Sequence, residues 1–238
     1  MTSRWWVFEL GRRAHTRSLA HSLALDRSPQ DCDRGPHHQL GDSLHRRDAR
    51  WNLPGRNYVQ SFGGGLVDVF FIDTNPFISE YRNSEWNPWN KNILTAEDWR
   101  ESLETLDRRL SESDAPVKLV VGHHPTRSNG DHGPNLDLVE HLEPVLNAHS
   151  VAAYFSGHDH DLEHLKTEDM RFHQVVSGAG SDCTRGFHAT ESSVWQYPWS
   201  GFATVTAETK GEGQPVVTVR FFTLDHGSEQ PAYQFQVS

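Results

Sequence analysis

Val117-Lys118-Leu119-Val120-Val121-Gly122-His123-His124-Pro125 and, further along, Val151-Ala152-Ala153-Tyr154-Phe155-Ser156-Gly157-His158-Asp159-His160 repeat one pattern. In each, a short apolar, β-prone run ends in a Gly-His pair. Runs of this length without polar alternation predict strands buried on both faces. Side chains at the carboxyl ends of such strands converge on the crevice where α/β sheets place their ligands. Neutral imidazole is the commonest nitrogen ligand for zinc, iron and similar metals. The two stretches therefore point to metal-assisted hydrolysis at a strand-end site.

The flanking sequence supplies the rest of an α/β (α+β) domain. Residues 66–72 predict a buried strand ending at the turn Asp73-Thr74-Asn75-Pro76. Thr95 is suited to cap a helix, with Glu97 and Asp98 in its first turn. Trp99, Leu103, Leu106 and Leu110 then recur on one helical face. A second helix is expected over 136–148, and strands at 151–155, 201–207, 216–224 and 232–237. The order strand–helix–strand–helix–strand followed by a run of strands predicts sheets packed face to face beneath flanking helices.

The chain has 238 residues and a net charge of -10, which argues against a nucleic-acid partner. No apolar run approaches the roughly 18 residues that span a bilayer. Met1–Leu10 lacks the apolar region and cleavage site of a secretory signal. Cys32 and Cys183 are the only cysteines and are expected to be unpaired. Residues 1–50 differ from the rest: nine Arg and no Lys against six acidic residues give +3, leaving -13 for 51–238. Their apolar residues follow no sustained period, which predicts a disordered or mis-specified basic segment rather than a folded unit. Residues 51–238 form the globular part.

His123, His158 and His160 are the candidate metal ligands. Two ions about 3.5–4 Å apart can be served by alternating imidazoles such as His158 and His160. His124 and Asp159 are assigned supporting positions behind the ligands. His132, in the polar loop Asp131-His132-Gly133-Pro134, is placed to donate a hydrogen bond or a proton to a substrate oxygen.

These motifs, in this order and spacing, resemble the purple acid phosphatases, particularly the small tartrate-resistant type. The matching pieces begin with Arg50-Trp51-Asn52-Leu53-Pro54, Tyr58 and Val69-Phe70-Phe71-Ile72-Asp73-Thr74. They continue through Val121–Pro125, Asp131–Pro134, Tyr154–His160 and Ser177-Gly178-Ala179-Gly180. The resemblance implies a β-sandwich flanked by helices. It implies that a metal-bound hydroxide attacks a phosphomonoester at a centre holding Fe(III) with Fe(II), Zn or Mn. On it, His123 and His158 would bind the divalent ion, His160 the ferric ion, and His132 would contact the phosphate. Such proteins are expected to be secreted, vacuolar or lysosomal.

The family's remaining ligands come from Asp-x-Gly, Gly-Asp-x-x-Tyr and Gly-Asn-His-Asp. Asp33-Arg34-Gly35 has the letters of the first without a preceding strand, Gly41-Asp42-Ser43-Leu44-His45 has His where Tyr belongs, and Asn-His does not occur. Three imidazoles do not neutralise two multivalent cations, and hard Fe(III) prefers oxygen. The expectation is that residues 1–50 stand in place of the family's N-terminal half, leaving the sandwich incomplete there and hydrolysis impaired. The alternatives are an inactive fragment serving as a binding or regulatory module, and a different metallophosphoesterase, a phosphodiesterase or nucleotidase.

Overall fold

The computed structural model describes residues 5–10, 19–22, 54–83, 96–180, 188, 190, 192–210, 214–225 and 230–237. Among the described residues twelve strands lie in two sheets. They are β1 (Trp5–Leu10), β2 (Leu19–Ser22), β3 (Tyr58–Phe62), β4 (Val67–Phe71), β5 (Val117–Val121) and β6 (Ala153–Ser156). β7 (Leu162–Leu165), β8 (His173–Ser177), β9 (Ser193–Tyr197), β10 (Gly201–Lys210), β11 (Gln214–Thr223) and β12 (Tyr233–Val237) complete the set. The helices are α1 (Ser79–Asn83), α2 (Ala96–Glu112) and α3 (Leu136–Ala148). One sheet runs β3-β4-β5-β6-β8-β7-β9 and the other β12-β11-β10-β1-β2.

The apolar runs decide this layering. In β5, Val117, Leu119 and Val121 point into one core while Val120 points into another. The first core lies between the sheets, where Val69, Leu119, Phe155 and Val175 meet Val205, Val219 and Phe221. The second lies under the helices, where Phe70, Val120 and Tyr154 meet Leu106 and Leu110 of α2 and Leu138, Leu142 and Leu146 of α3. A strand buried on both faces has no polar side to show, hence the absence of alternation in the sequence. The fold is thus the helix-flanked β-sandwich that the pattern implied.

Several boundaries differ from expectation. The strand expected over 151–155 is paired only from Ala153 to Ser156. Val151 N donates to Leu146 O, so it still belongs to the exit of α3. The short strands β3, β7, β8 and β9 had no expectation; each is five residues or fewer and held by distant partners. Within 1–50, where no regular structure was expected, β1 pairs in parallel with β10 and antiparallel with β2. Its stretch Trp5-Trp6-Val7-Phe8 is aromatic and β-branched, which suits a strand despite the lack of alternation. Cys32, Cys183, the Thr95 cap and the letters at 33–35 and 41–45 lie outside the described residues.

Between the sheets runs a polar chain centred on buried His164. Tyr233 Oη is 2.9 Å from His164 Nδ1, and His164 Nε2 is 2.8 Å from His173 Nδ1. The His164 ring stacks on Phe235 at 3.6 Å. Burial, then the neighbouring His173 and Lys166, lower the His164 pKa to about 3; burial and Lys166 lower that of His173 to about 4. Both imidazoles are therefore neutral in the folded chain near pH 7. Below the unfolded value of about 6.5 the unfolded chain takes up more protons, so the pair's stabilising contribution is lost as pH falls toward 4. Urea unfolding of the wild type against His164→Gln between pH 7 and pH 4 isolates it: the stability gap narrows as pH falls. A gap independent of pH contradicts this. Packing is tested by Leu119→Ala, expected to cost about 3 kcal/mol, whereas Leu136→Ala at a position 74% exposed stays within about 0.5 kcal/mol.

Candidate metal centre

Strand register brings the two Gly-His pairs together. β5 and β6 run parallel with Val121 opposite Phe155. The ladder then continues past the strand ends: Gly122 N donates to Phe155 O at 2.9 Å and Gly157 N to His123 O at 3.0 Å. Gly122 is required by space. A Cβ there would collide with the Tyr154 hydroxyl and lie 2.7 Å from the Thr74 methyl. Gly157 has room, its nearest obstacle being 3.9 Å away, so close packing demands a glycine at only one of the two positions. The unusual backbone falls instead on His158, whose φ of 68° is left-handed. Non-glycine residues in that region cost energy and concentrate at functional sites.

Three imidazoles meet here. His158 Nδ1 lies 3.2 Å from His123 Nε2, with the rings perpendicular at 87°. Donor atoms of His123, His124 and His158 all fall within 4.8 Å of one another. His124 is committed elsewhere, however. The Thr74 hydroxyl oxygen accepts from the backbone N–H of His123 (3.2 Å) and of His124 (3.1 Å), and lies 2.8 Å from His124 Nδ1. With its oxygen accepting twice, that hydroxyl donates to Nδ1. His124 Nε2 then donates to Tyr81 Oη at 3.2 Å. Buried and bonded at both ring nitrogens, His124 braces the centre. His160 is half-buried and stands outside the three-histidine group.

His132 reaches the centre from the 126–134 loop, its ring 4.1 Å from that of His158. Asp159 holds it there, accepting from His132 N at 3.0 Å and from Nδ1 at 2.7 Å. Because Nδ1 carries the donated proton, Nε2 is the nitrogen turned away from Asp159. Asp159 is fully buried and also accepts from Ser128 Oγ, which lies 2.6 Å from Glu163 Oε1 as well. Glu163 in turn accepts from Asn129 N at 2.9 Å. Arg127 fastens the loop's start through a bidentate pair with buried Glu143 at 2.9 Å and a contact to Asp169, which together hold its pKa above the ordinary value. Asp161, buried beside Glu163 and Asp159, is pushed up to about 9, chiefly by desolvation, and is uncharged at neutral pH.

Ser128 and Tyr81 carry no sequence signal of their own. Asp159, Asp161 and Glu163 alternate in the sequence, the one available clue to the buried acids, although only Glu163 lies within β7.

The donor chemistry fits a divalent ion at His123 and His158. Two nitrogens each about 2.1 Å from one ion at a tetrahedral angle are separated by about 3.4 Å, close to the spacing found. It does not fit a ferric ion. Among the described residues no carboxylate oxygen joins the histidine group, and Fe(III) prefers oxygen donors.

Residues 32–162 match the family model described as calcineurin-like phosphoesterase. Purple acid phosphatase 3 of Arabidopsis thaliana is 34% identical over 174 residues, covering 70% of this chain and 47% of that protein. Tartrate-resistant acid phosphatase type 5 of Sus scrofa is 32% identical over 164 residues, covering 62% and 45%. The chain thus spans about half the length of the curated relatives it matches. Among solved structures, a purple acid phosphatase from yellow lupin (Lupinus luteus) seeds superposes with a TM-score of 0.58 at 14% identity, over 79% of this chain and 34% of that one. GAP50, the anchor in the inner membrane complex of Plasmodium, superposes with a TM-score of 0.59 at 21% identity, over 84% and 60%. These two likenesses are of fold. No helix among the described residues is long and apolar enough to cross a membrane.

Zinc titration of the metal-free chain distinguishes ligand from brace. His158→Ala is expected to weaken binding by more than about 100-fold, and His124→Ala by the roughly 10-fold typical of an outer partner. Equal losses contradict the assignment.

Proposed function

The chain belongs to the calcineurin-like phosphoesterase family, and from that premise we propose that it derives from an acid phosphatase acting on phosphomonoesters, with hydrolysis impaired in this chain. The observation that carries the reading is the approach of His123 Nε2 and His158 Nδ1 to 3.2 Å beside an Asp159-held His132.

In it, His123 and His158 hold a divalent ion, Fe(II), Zn or Mn, and His160 is the one residue left of a second, ferric position that the donors present do not complete. Bound metal supplies polarisation of the phosphoryl oxygens and a lowered pKa for water. The chain's own residues do the rest. In its imidazolium form, with Nδ1–H held by Asp159, His132 presents Nε2–H to a substrate oxygen and donates that proton toward the leaving group. Asp159 fixes the ring and stabilises its charged form. Thr74 and Tyr81 hold His124, whose backbone and ring support the His123 turn. Impairment follows from the donor set: a second metal position needs the carboxylate, phenolate and amide oxygens of the three motifs that the sequence lacks.

A second reading, an inactive binding module, draws on the same absence of a carboxylate at the histidine group among the described residues. A phosphodiesterase or nucleotidase remains a third. Elemental analysis of the purified chain with turnover of p-nitrophenyl phosphate separates these readings. The expected outcome is about one divalent ion per chain, borne by the two histidines, and slow turnover that His132→Ala lowers by a further factor of about 100. Two tightly held ions with rapid turnover contradict the impairment. Metal without any turnover favours the binding module, and preference for bis(p-nitrophenyl) phosphate favours the diesterase.

A further inference from the structure

At the end of the sheet opposite the histidine centre, a cleft of about 240 Å³ opens between the start of β6, the start of β8 and the C-terminal strand β12. Its wall includes Ser150, Ala152, Arg171, His173, Gln236 and Val237. It is remote from the metal ligands because those follow the carboxyl ends of β5 and β6, whereas Ala152 and Arg171 precede the amino ends of β6 and β8. The volume is below that of most drug-sized sites and suits a small ligand.

The polar equipment of the cleft is one-sided. No lining residue is acidic, although the chain as a whole is strongly acidic. The Arg171 side chain is exposed and its guanidinium makes no ion pair among the described residues. Lys166 lies behind the wall, its Nζ donating to Phe172 O at 3.1 Å.

The Tyr233–His164–His173 chain ends on this wall, and it gives the wall a defined polarity. Tyr233 is the stronger acid of the pair it forms with His164, so its hydroxyl donates to His164 Nδ1. Neutral His164 then carries its proton on Nε2 and donates it to His173 Nδ1 at 2.8 Å. His173 is left with its proton on Nε2, the ring nitrogen not used by His164. Buried His164 and half-buried His173 thereby leave one N–H on His173, in the same cleft wall as Arg171.

We infer that this cleft is a binding site for a small oxyanion, held by the Arg171 guanidinium and the His173 Nε2–H. Guanidinium and imidazole N–H donors beside each other match the separated oxygens of a phosphate or carboxylate group, and charge-assisted bonds of this kind are the strong ones. The site is independent of the metal centre and of any hydrolysis there.

Inorganic phosphate is the probe, added to the metal-free full-length chain while the ring nitrogens of His173 are followed by long-range proton–nitrogen NMR. Saturable displacement of the His173 Nε2 signal is expected, with a Kd on the order of 1 mM. It persists in His158→Ala, which removes a metal ligand and so separates this site from the histidine centre. It weakens about 10-fold in Arg171→Ala, an exposed position whose replacement leaves the core intact, and a few-fold in Tyr233→Phe, which frees the tautomer. Acetate titrated in parallel identifies the source: weaker binding than phosphate assigns a phosphate group, equal binding a carboxylate, and either supports an oxyanion site. No saturable change, or a change lost in His158→Ala and kept in Arg171→Ala, overturns the inference.

Discussion

The parallel register of β4, β5 and β6 is the constraint on which everything at the centre depends. Val69 faces Leu119 and Leu119 faces Ala153, so the three strands end level with one another. The residues just past each strand are then forced into one crevice: Asp73 and Thr74 after β4, Gly122–His124 after β5, Gly157–His160 after β6. A slip of one residue would turn every side chain to the opposite face and separate His123 from His158. The register is fixed by burial on both faces, because Val120 and Tyr154 belong under the helices while Leu119 and Phe155 belong between the sheets.

Around that crevice the chain invests in buried polar contacts rather than apolar packing. Thr74 ties the turn after β4 to both histidines after β5, and Tyr154 Oη, from the helix-facing side of β6, donates to His124 O at 2.6 Å. Asp159, Ser128 and Glu163 bind the 126–134 loop to the segment that carries His158 and His160. Such networks are stiff when every member is satisfied and costly when one is removed. They hold His132 against His158.

The sequence was most legible where local pattern and burial coincide. β5 and α3 have the expected limits, and α2 carries the expected face of Trp99, Leu103, Leu106 and Leu110. The Gly-His pairs marked the candidate site because each stands directly after a buried strand. The supports were not legible. Thr74 meets His124 fifty positions away, and Glu163 meets Ser128 thirty-five away, so no window of sequence contains both partners. The same holds for His164, His173 and Tyr233, which read as scattered polar residues until two sheets close over them. β7, β8 and β9 are too short to show a period, and their partners decide their form.

Sharing of one ion by His123 and His158 is the central claim, and X-ray absorption at the zinc edge tests it most directly, on the full chain loaded with a single equivalent of zinc. Two imidazole nitrogens are expected about 2.0–2.1 Å from the metal, recognisable by the ring's outer-shell scattering, with loss of that signature in His158→Ala. A shell of oxygen alone, or an imidazole signature unchanged by His158→Ala, would contradict it.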